Sequence, residues 1–307
     1  MKTVAGIAQQ TCELPFTPPL DWPRLIRFLQ GRATAGVEHA SVEDGYWRNL
    51  LWQGLPGQFQ VTPLDHRRLL LRAYGPAAAH LGDWLPQAAA LFDLHADPAP
   101  INAHLGQDPW LGPLTRLAPG LRVAGAWSAF ELVVRAIVGQ QVSVKAATTL
   151  MGRLVERAGG EMPALANPAL RAVCPEPAAL AGANLERIGM PGRRVQALQG
   201  LAAQAALGVL PLERGAAPLP VQRAALLALP GIGPWTVEYV AMRAWGDADA
   251  WPGTDLVLLQ QIQRQHPELL KPAQWRARSE AWRPWRAYAA LHLWNAVADA
   301  AGGARGG

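Results

Sequence analysis

The chain has 307 residues, half of them apolar and 17% charged, a composition of folded domains rather than of a disordered or fibrous chain. A formal charge of +5, from 28 basic and 23 acidic residues, permits a polyanionic partner without demanding one. Cys12 and Cys174 are the only cysteines, which excludes a four-cysteine iron–sulfur or zinc site and points to a reducing compartment rather than a disulfide framework.

Residues 1 to about 115 read as a mixed α+β unit. Asp21-Trp22-Pro23 caps and opens a helix that runs to about Arg32. Three β-like runs follow, Tyr46 to Trp52, Gln58 to Pro63 and Arg68 to Tyr74. Leu55-Pro56-Gly57 and Leu64-Asp65-His66 sit between them as expected turns, giving an antiparallel meander. A helix is expected over Ala77 to Asp93, and Asp97-Pro98-Ala99-Pro100 is expected to break the chain.

From about residue 100 the pattern is helical. Helices are expected over Ala126–Val138 and Val142–Ala158, separated near Gly139-Gln140-Gln141. Shorter ones are expected over 168–172, 177–183, 185–188 and Arg193–Leu207, followed by Val221–Leu229 and Trp235–Trp245. Leu256–Gln265, Pro272–Trp282 and Trp285–Ala298 complete the set, and the tail from Ala301 to Gly307 is expected to fray. The fold class is therefore mostly α with an N-terminal α+β domain. Residues 1–115, 116–230 and 231–307 are the expected divisions. The N-terminus, Met1 to Gly6, lacks an apolar leader, and no 18-residue apolar run occurs, so a cytoplasmic protein without a membrane partner is expected.

The segment Leu229-Pro230-Gly231-Ile232-Gly233-Pro234-Trp235-Thr236 carries the most chemistry. Pro230 cannot continue a helix, and the glycines reach backbone angles closed to other residues. The N–H groups of Gly231, Ile232, Gly233 and Thr236, at the start of the next helix, suit a phosphate. Beyond that helix, Trp251-Pro252-Gly253-Thr254-Asp255 presents one carboxylate. Asp255 can cap the helix that begins at Leu256. It can also stabilise positive charge developing on a sugar. Trp235 and Tyr239, four apart, share a helix face. The seven histidines, including His266, show no metal-ligand spacing, so no catalytic metal is expected.

Together the glycine hairpin and the aspartate resemble the helix-hairpin-helix DNA glycosylase superfamily, and its 3-methyladenine DNA glycosylase II branch in particular. Trp127-Ser128-Ala129-Phe130-Glu131, Ile137-Val138-Gly139-Gln140-Gln141-Val142-Ser143, Gly189-Met190-Pro191-Gly192-Arg193-Arg194 and Trp282-Arg283-Pro284-Trp285-Arg286 extend the likeness. With Pro18-Pro19-Leu20-Asp21-Trp22 and Leu91-Phe92-Asp93-Leu94 it covers nearly the whole chain.

The resemblance implies a monomeric enzyme of base excision repair that flips an alkylated, cationic purine out of double-stranded DNA and hydrolyses its N-glycosidic bond. It implies Asp255 as the catalytic group. It implies a base pocket of Trp235, Tyr239, Phe28 and Trp294, whose electron-rich faces attract a cation. The aromatic that the family places after the aspartate is Leu256 here. Gln141, beside Gln140, matches the wedge that fills the vacated stack. Relatives that nick the strand carry a hairpin lysine, and Trp235 stands in that position, so a monofunctional enzyme is expected. No cofactor is required, although the family often holds a monovalent cation on the hairpin carbonyls. A glycosylase for hypoxanthine, uracil or an oxidised base remains open, as does a non-catalytic DNA-binding module.

Overall fold

A computed structural model describes residues 9–265, 268 and 271–303. Met1–Gly6, His266 and Ala304–Gly307 lie outside the described residues; Ala301–Gly303, expected to fray, continue the last helix.

Five antiparallel strands form the N-terminal sheet: β1 (Gln9–Pro15), β2 (Glu38–Ser41), β3 (Gly45–Trp52), β4 (Leu55–Pro63) and β5 (Arg68–Tyr74), in the order β1-β5-β4-β3-β2. The three expected strands are present. β1 and β2 were not foreseen, being an edge strand with mostly exposed residues and a run of only four. Alternation works on β5 up to its last residue: Leu69, Leu71 and Ala73 are buried while Arg68, Leu70 and Arg72 are not, and Tyr74 at the end is buried too. The buried face meets α1 (Trp22–Gln30) and α2 (Leu81–Leu91) around Tyr46, Phe59, Trp84 and Phe92. Asp21 caps α1 by accepting from the Arg24 N–H at 3.1 Å.

Leu55-Pro56-Gly57, expected as a turn, lies inside β4; the turn falls at Gln53 and Gly54, both with positive φ. Gly57 serves another purpose. A Cβ there would lie 2.5 Å from the Ala77 Cβ, so its absence lets the short 3-10 helix Pro76–His80 pack onto the strand.

The rest of the chain is a helical body. Its helices are α3 (Pro98–Leu105), α4 (Leu111–Leu117), α5 (Ala129–Val138), α6 (Val144–Ala158), α7 (Pro177–Gly182), α8 (Gly192–Ala206), α9 (Leu219–Leu227), α10 (Pro234–Arg243), α11 (Leu256–Gln265), α12 (Pro272–Glu280) and α13 (Arg286–Gly303). The expected break at Pro98 is instead the start of α3, with Asp97 as its cap. Residues 185–188 form a turn, and the expected helix at 168–172 is replaced by a turn leading into the two-residue strand Ala172–Val173, which pairs with Gly160–Glu161.

Helix α5 is buried on almost every side and is the axis of this body. Ile101, Leu105 and Leu111 belong to the same core, so α3 and α4 side with the helical body rather than with the sheet. Two contacts pin α5 to the sheet. Trp127, just before it, packs in the sheet's core. Arg48 on β3 donates to Glu131 on α5 at 2.6 Å and to Glu38 on β2 at 2.8 Å.

Candidate active site

Helix α10 begins where the glycine hairpin ends, with Gly233 as its N-cap and Pro234 at its first position. Gly231 has φ +80, and a Cβ there would lie 2.9 Å from the Ala197 Cβ of α8. Both facts call for glycine. Gly233 differs: its φ of −108 is open to any residue, and nothing stands within 4 Å of the Cβ it lacks. Ile232 and Thr236 are buried, at 7% and 2% exposure, and the Ile232 N–H, expected to face a phosphate, instead donates to the Leu229 carbonyl at 3.2 Å and closes the turn. The hairpin offers carbonyls and no carboxylate, the donor type that suits a monovalent cation. One of these carbonyls, that of Gly231, accepts from Gln140 Nε2 at 2.8 Å. The exposed Gln141, with φ 58, stands beside it, so the α5–α6 turn and the hairpin adjoin.

The loop that carries Asp255 is tied down from several directions. Arg223 on α9 donates to Glu238 on α10 at 2.8 Å and to Asp247 at 2.5 Å. Glu238 in turn accepts from the Trp251 N–H at 2.9 Å. Arg286 grips Asp249 through two bonds of 2.8 and 2.9 Å. The loop therefore reaches Asp255 with little freedom.

Asp255 caps α11: its Oδ1 accepts from the N–H groups of Val257 and Leu258 at 3.0 and 3.1 Å. The same oxygen accepts from Trp294 Nε1 at 3.1 Å, and Oδ2 accepts from Trp235 Nε1 at 3.0 Å. Three donors thus saturate one oxygen, while the other keeps free lone pairs. The capping and chemical readings of Asp255 are compatible, because the cap aims the second oxygen.

The four expected pocket aromatics do come together. Trp235 stacks on Tyr239 with ring centres 5.0 Å apart and planes 11° from parallel. That separation is less than twice a stacking distance, so a base meets the outer surface of the pair rather than slotting between the rings. Trp294 stands edge-on to Tyr239 at 6.4 Å. Phe28 joins through Arg243, whose guanidinium is 4.8 Å from the Phe28 ring and 5.2 Å from the Tyr239 ring. Leu256 is 72% exposed beside Asp255 and joins no ring contact.

Two residues here were not singled out from sequence. Arg243 is buried and donates to the Tyr239 hydroxyl at 2.6 Å. Arg32 lies 3.7 Å from the centre of the Phe28 ring. Each sits four residues after an expected pocket aromatic, the spacing of neighbours on a helix face, and that was the available signal. Burial tends to raise the Tyr239 phenol, but Arg243 and Arg32 outweigh it and bring the pKa down to about 8. Among the described residues no cluster of three or more His, Cys, Asp or Glu could hold a metal ion, and no helix is long and apolar enough to cross a membrane.

Known proteins share this fold and sequence pattern. A family model for the AlkA N-terminal domain matches residues 11–128. The chain is 36% identical to DNA-3-methyladenine glycosylase 2 of Escherichia coli (strain K12) over 292 residues, 92% of this chain and 95% of that protein. Among solved structures it resembles a 3-methyladenine DNA-glycosylase from Archaeoglobus fulgidus, with a TM-score of 0.78, 19% identity, and 92% and 97% of the two chains covered. It also resembles a Clostridium acetobutylicum 8-oxoguanine glycosylase/lyase in complex with dsDNA, with a TM-score of 0.65, 15% identity, and 84% and 86% covered. At these identities the two structural likenesses concern the fold.

Proposed function

The chain belongs to the DNA-3-methyladenine glycosylase 2 family, and on that premise we propose that it hydrolyses the N-glycosidic bond of alkylated purines in DNA, with Asp255 as the catalytic carboxylate. The observation that carries the assignment is the setting of Asp255. One carboxylate, fixed by two indoles and a helix start, adjoins an aromatic cluster on the helix that leaves a phosphate-type hairpin.

The chemistry follows from that setting. Cleavage of the C1′–N bond sends its electron pair into the base and leaves positive charge on the deoxyribose. A base already made cationic by alkylation leaves more readily. The carboxylate stabilises the sugar cation by its field. Its Oδ2, with one donor only, can also take the proton of the water that adds to C1′. The products are the free base and an abasic site. Trp235 occupies the place of a lyase lysine, so no Schiff base forms and the strand stays intact. Main-chain N–H groups of Gly231, Gly233 and Thr236 hold the phosphate. A monovalent cation on the hairpin carbonyls, Gln141 as the wedge, action as a monomer and a cytoplasmic location complete the proposal.

A base-release assay on methylated duplex, beside uracil and hypoxanthine duplexes, tests it with Asp255→Asn as control. Release of 3-methyladenine by the parent, and none by a variant that still binds DNA, is expected. Release of no base would revive the DNA-binding module. Near-normal turnover by Asp255→Asn, or borohydride trapping of a covalent adduct, would overturn the assigned roles.

A further inference from the structure

Behind the aromatic cluster lies a buried charged cavity. Arg32, Arg48, Arg135 and Arg243 line it, with Glu38 and Glu131. The four guanidiniums face only two carboxylates, and Arg48 engages both of these, at 2.8 and 2.6 Å. The other three arginines donate to neutral atoms. Arg135 donates to the Thr34 hydroxyl at 2.6 Å, and Arg32 to the Phe28 carbonyl at 3.3 Å. Arg243 donates to the carbonyls of Ala124 and Gly125 at 2.7 and 2.8 Å, and to the Tyr239 hydroxyl at 2.6 Å. Buried charge without a counter-charge is costly, so this wall favours an anion.

Two other lining or adjoining groups could become that anion. Burial pushes the Cys174 thiol up, which keeps it neutral. Tyr239 is the group that Arg243 touches, and its ring also belongs to the site beside Asp255. We propose that Tyr239 is a specificity-determining residue: ionised and paired with Arg243 and Arg32, it takes one unit from the positive wall and so shifts preference toward cationic lesions, whereas its neutral form leaves the wall at full charge and shifts preference toward uncharged ones. This rests on the glycosylase reading above.

The range in which the switch operates follows from its surroundings. Burial raises the phenol, while Arg243 from α10, Arg32 from beyond α1 and Arg135 from α5 lower it, with a net value of about 8. Glu38 and Glu131, on the far side, are taken up by Arg48. As pH rises through that value, the pocket gains one negative charge. A fixed cation is then favoured and a neutral base is unaffected.

The test compares single-turnover release of 3-methyladenine, whose charge is fixed by alkylation, with release of the neutral ethenoadenine, between about pH 6 and pH 10. The ratio of the two rates should rise at least tenfold, the effect of one unit charge about 12 Å away at an effective dielectric of about 20. In Tyr239→Phe it should stay flat. Ultraviolet titration of the phenolate gives a second reading on the parent chain, and Arg32→Gln should move its midpoint upward together with the inflection in the ratio. A flat ratio in the parent, an equal rise in Tyr239→Phe, or a phenol that titrates at its ordinary value of 10.0 would overturn the proposal. Release of neither base at any pH would instead overturn the glycosylase reading.

Discussion

Replacing Trp235 by phenylalanine separates its two roles. The smaller ring keeps an aromatic face against Tyr239, but the donor to Asp255 Oδ2 is gone. A hydrogen bond to a charged group contributes about 1.5–3 kcal/mol, and the half-exposed setting of both partners argues for the lower end. At about 1.4 kcal/mol per factor of ten, base release should slow roughly tenfold. Trp294→Phe removes a donor from Oδ1, which retains the N–H groups of Val257 and Leu258, so its loss should be nearer threefold by the same scale. Single-turnover base release measures the chemical step, and titration with abasic duplex checks that binding is unchanged. An unchanged or faster rate in Trp235→Phe would refute the reasoning, because the indole would then only be quenching the carboxylate. A larger loss in Trp294→Phe than in Trp235→Phe would refute it too.

Gly231→Ala should weaken DNA binding roughly tenfold, since a left-handed φ costs an alanine about 1–2 kcal/mol and the new Cβ meets Ala197. Gly208→Ala, with a similar φ of +69 and open space around it, should reduce stability without affecting a DNA titration. Arg48→Met strands two carboxylates between the sheet and α5, and should cost about 3 kcal/mol, lowering Tm by roughly 5–10 °C. Arg68→Met, at an exposed ion pair, should leave the calorimetric transition almost unmoved; similar shifts in the two would contradict the bridging role of Arg48. His292 is held neutral by burial and by Arg24, with its pKa lowered to about 4. The unfolded chain therefore binds a proton that the fold refuses, and stability should fall from about pH 6.5 down to about pH 4, then level off. His292→Leu should flatten that part of a urea-denaturation profile, and an unaltered profile would dismiss the assignment.

Local chemistry made much of this legible in advance. Asp21 capping α1, the Gly-Pro hairpin before α10 and Asp255 before α11 each follow from the backbone groups that a helix end leaves unsatisfied. Where one residue type serves two purposes, sequence misled. Pro98 reads as a breaker and opens a helix; Pro56-Gly57 reads as a turn and lies in a strand, because Gly57 answers to Ala77 across the packing. β1 was hidden because its exposed pattern carries no hydrophobic alternation. At the site, the aromatics could be named from position, but their stacking and the paired indole bonds to one carboxylate depend on segments far apart in the chain. Arg32 and Arg243 were lost among the many arginines of the chain.

Helix α10 has one more consequence, which is metrical. Gly233, Trp235, Tyr239 and Arg243 follow one another from its first turn to its last. Eight residues from the indole to the guanidinium span about 12 Å. On the proposed reading the hairpin at the helix's glycine end takes the phosphate, the Trp235–Tyr239 face takes the base, and Arg243 backs that face from its far end. The pitch of one helix would then act as a gauge for the length of what it accepts. A residue inserted or deleted between 235 and 243 would turn the two ends about 100° out of line, and phosphate grip and base recognition would no longer apply to the same nucleotide.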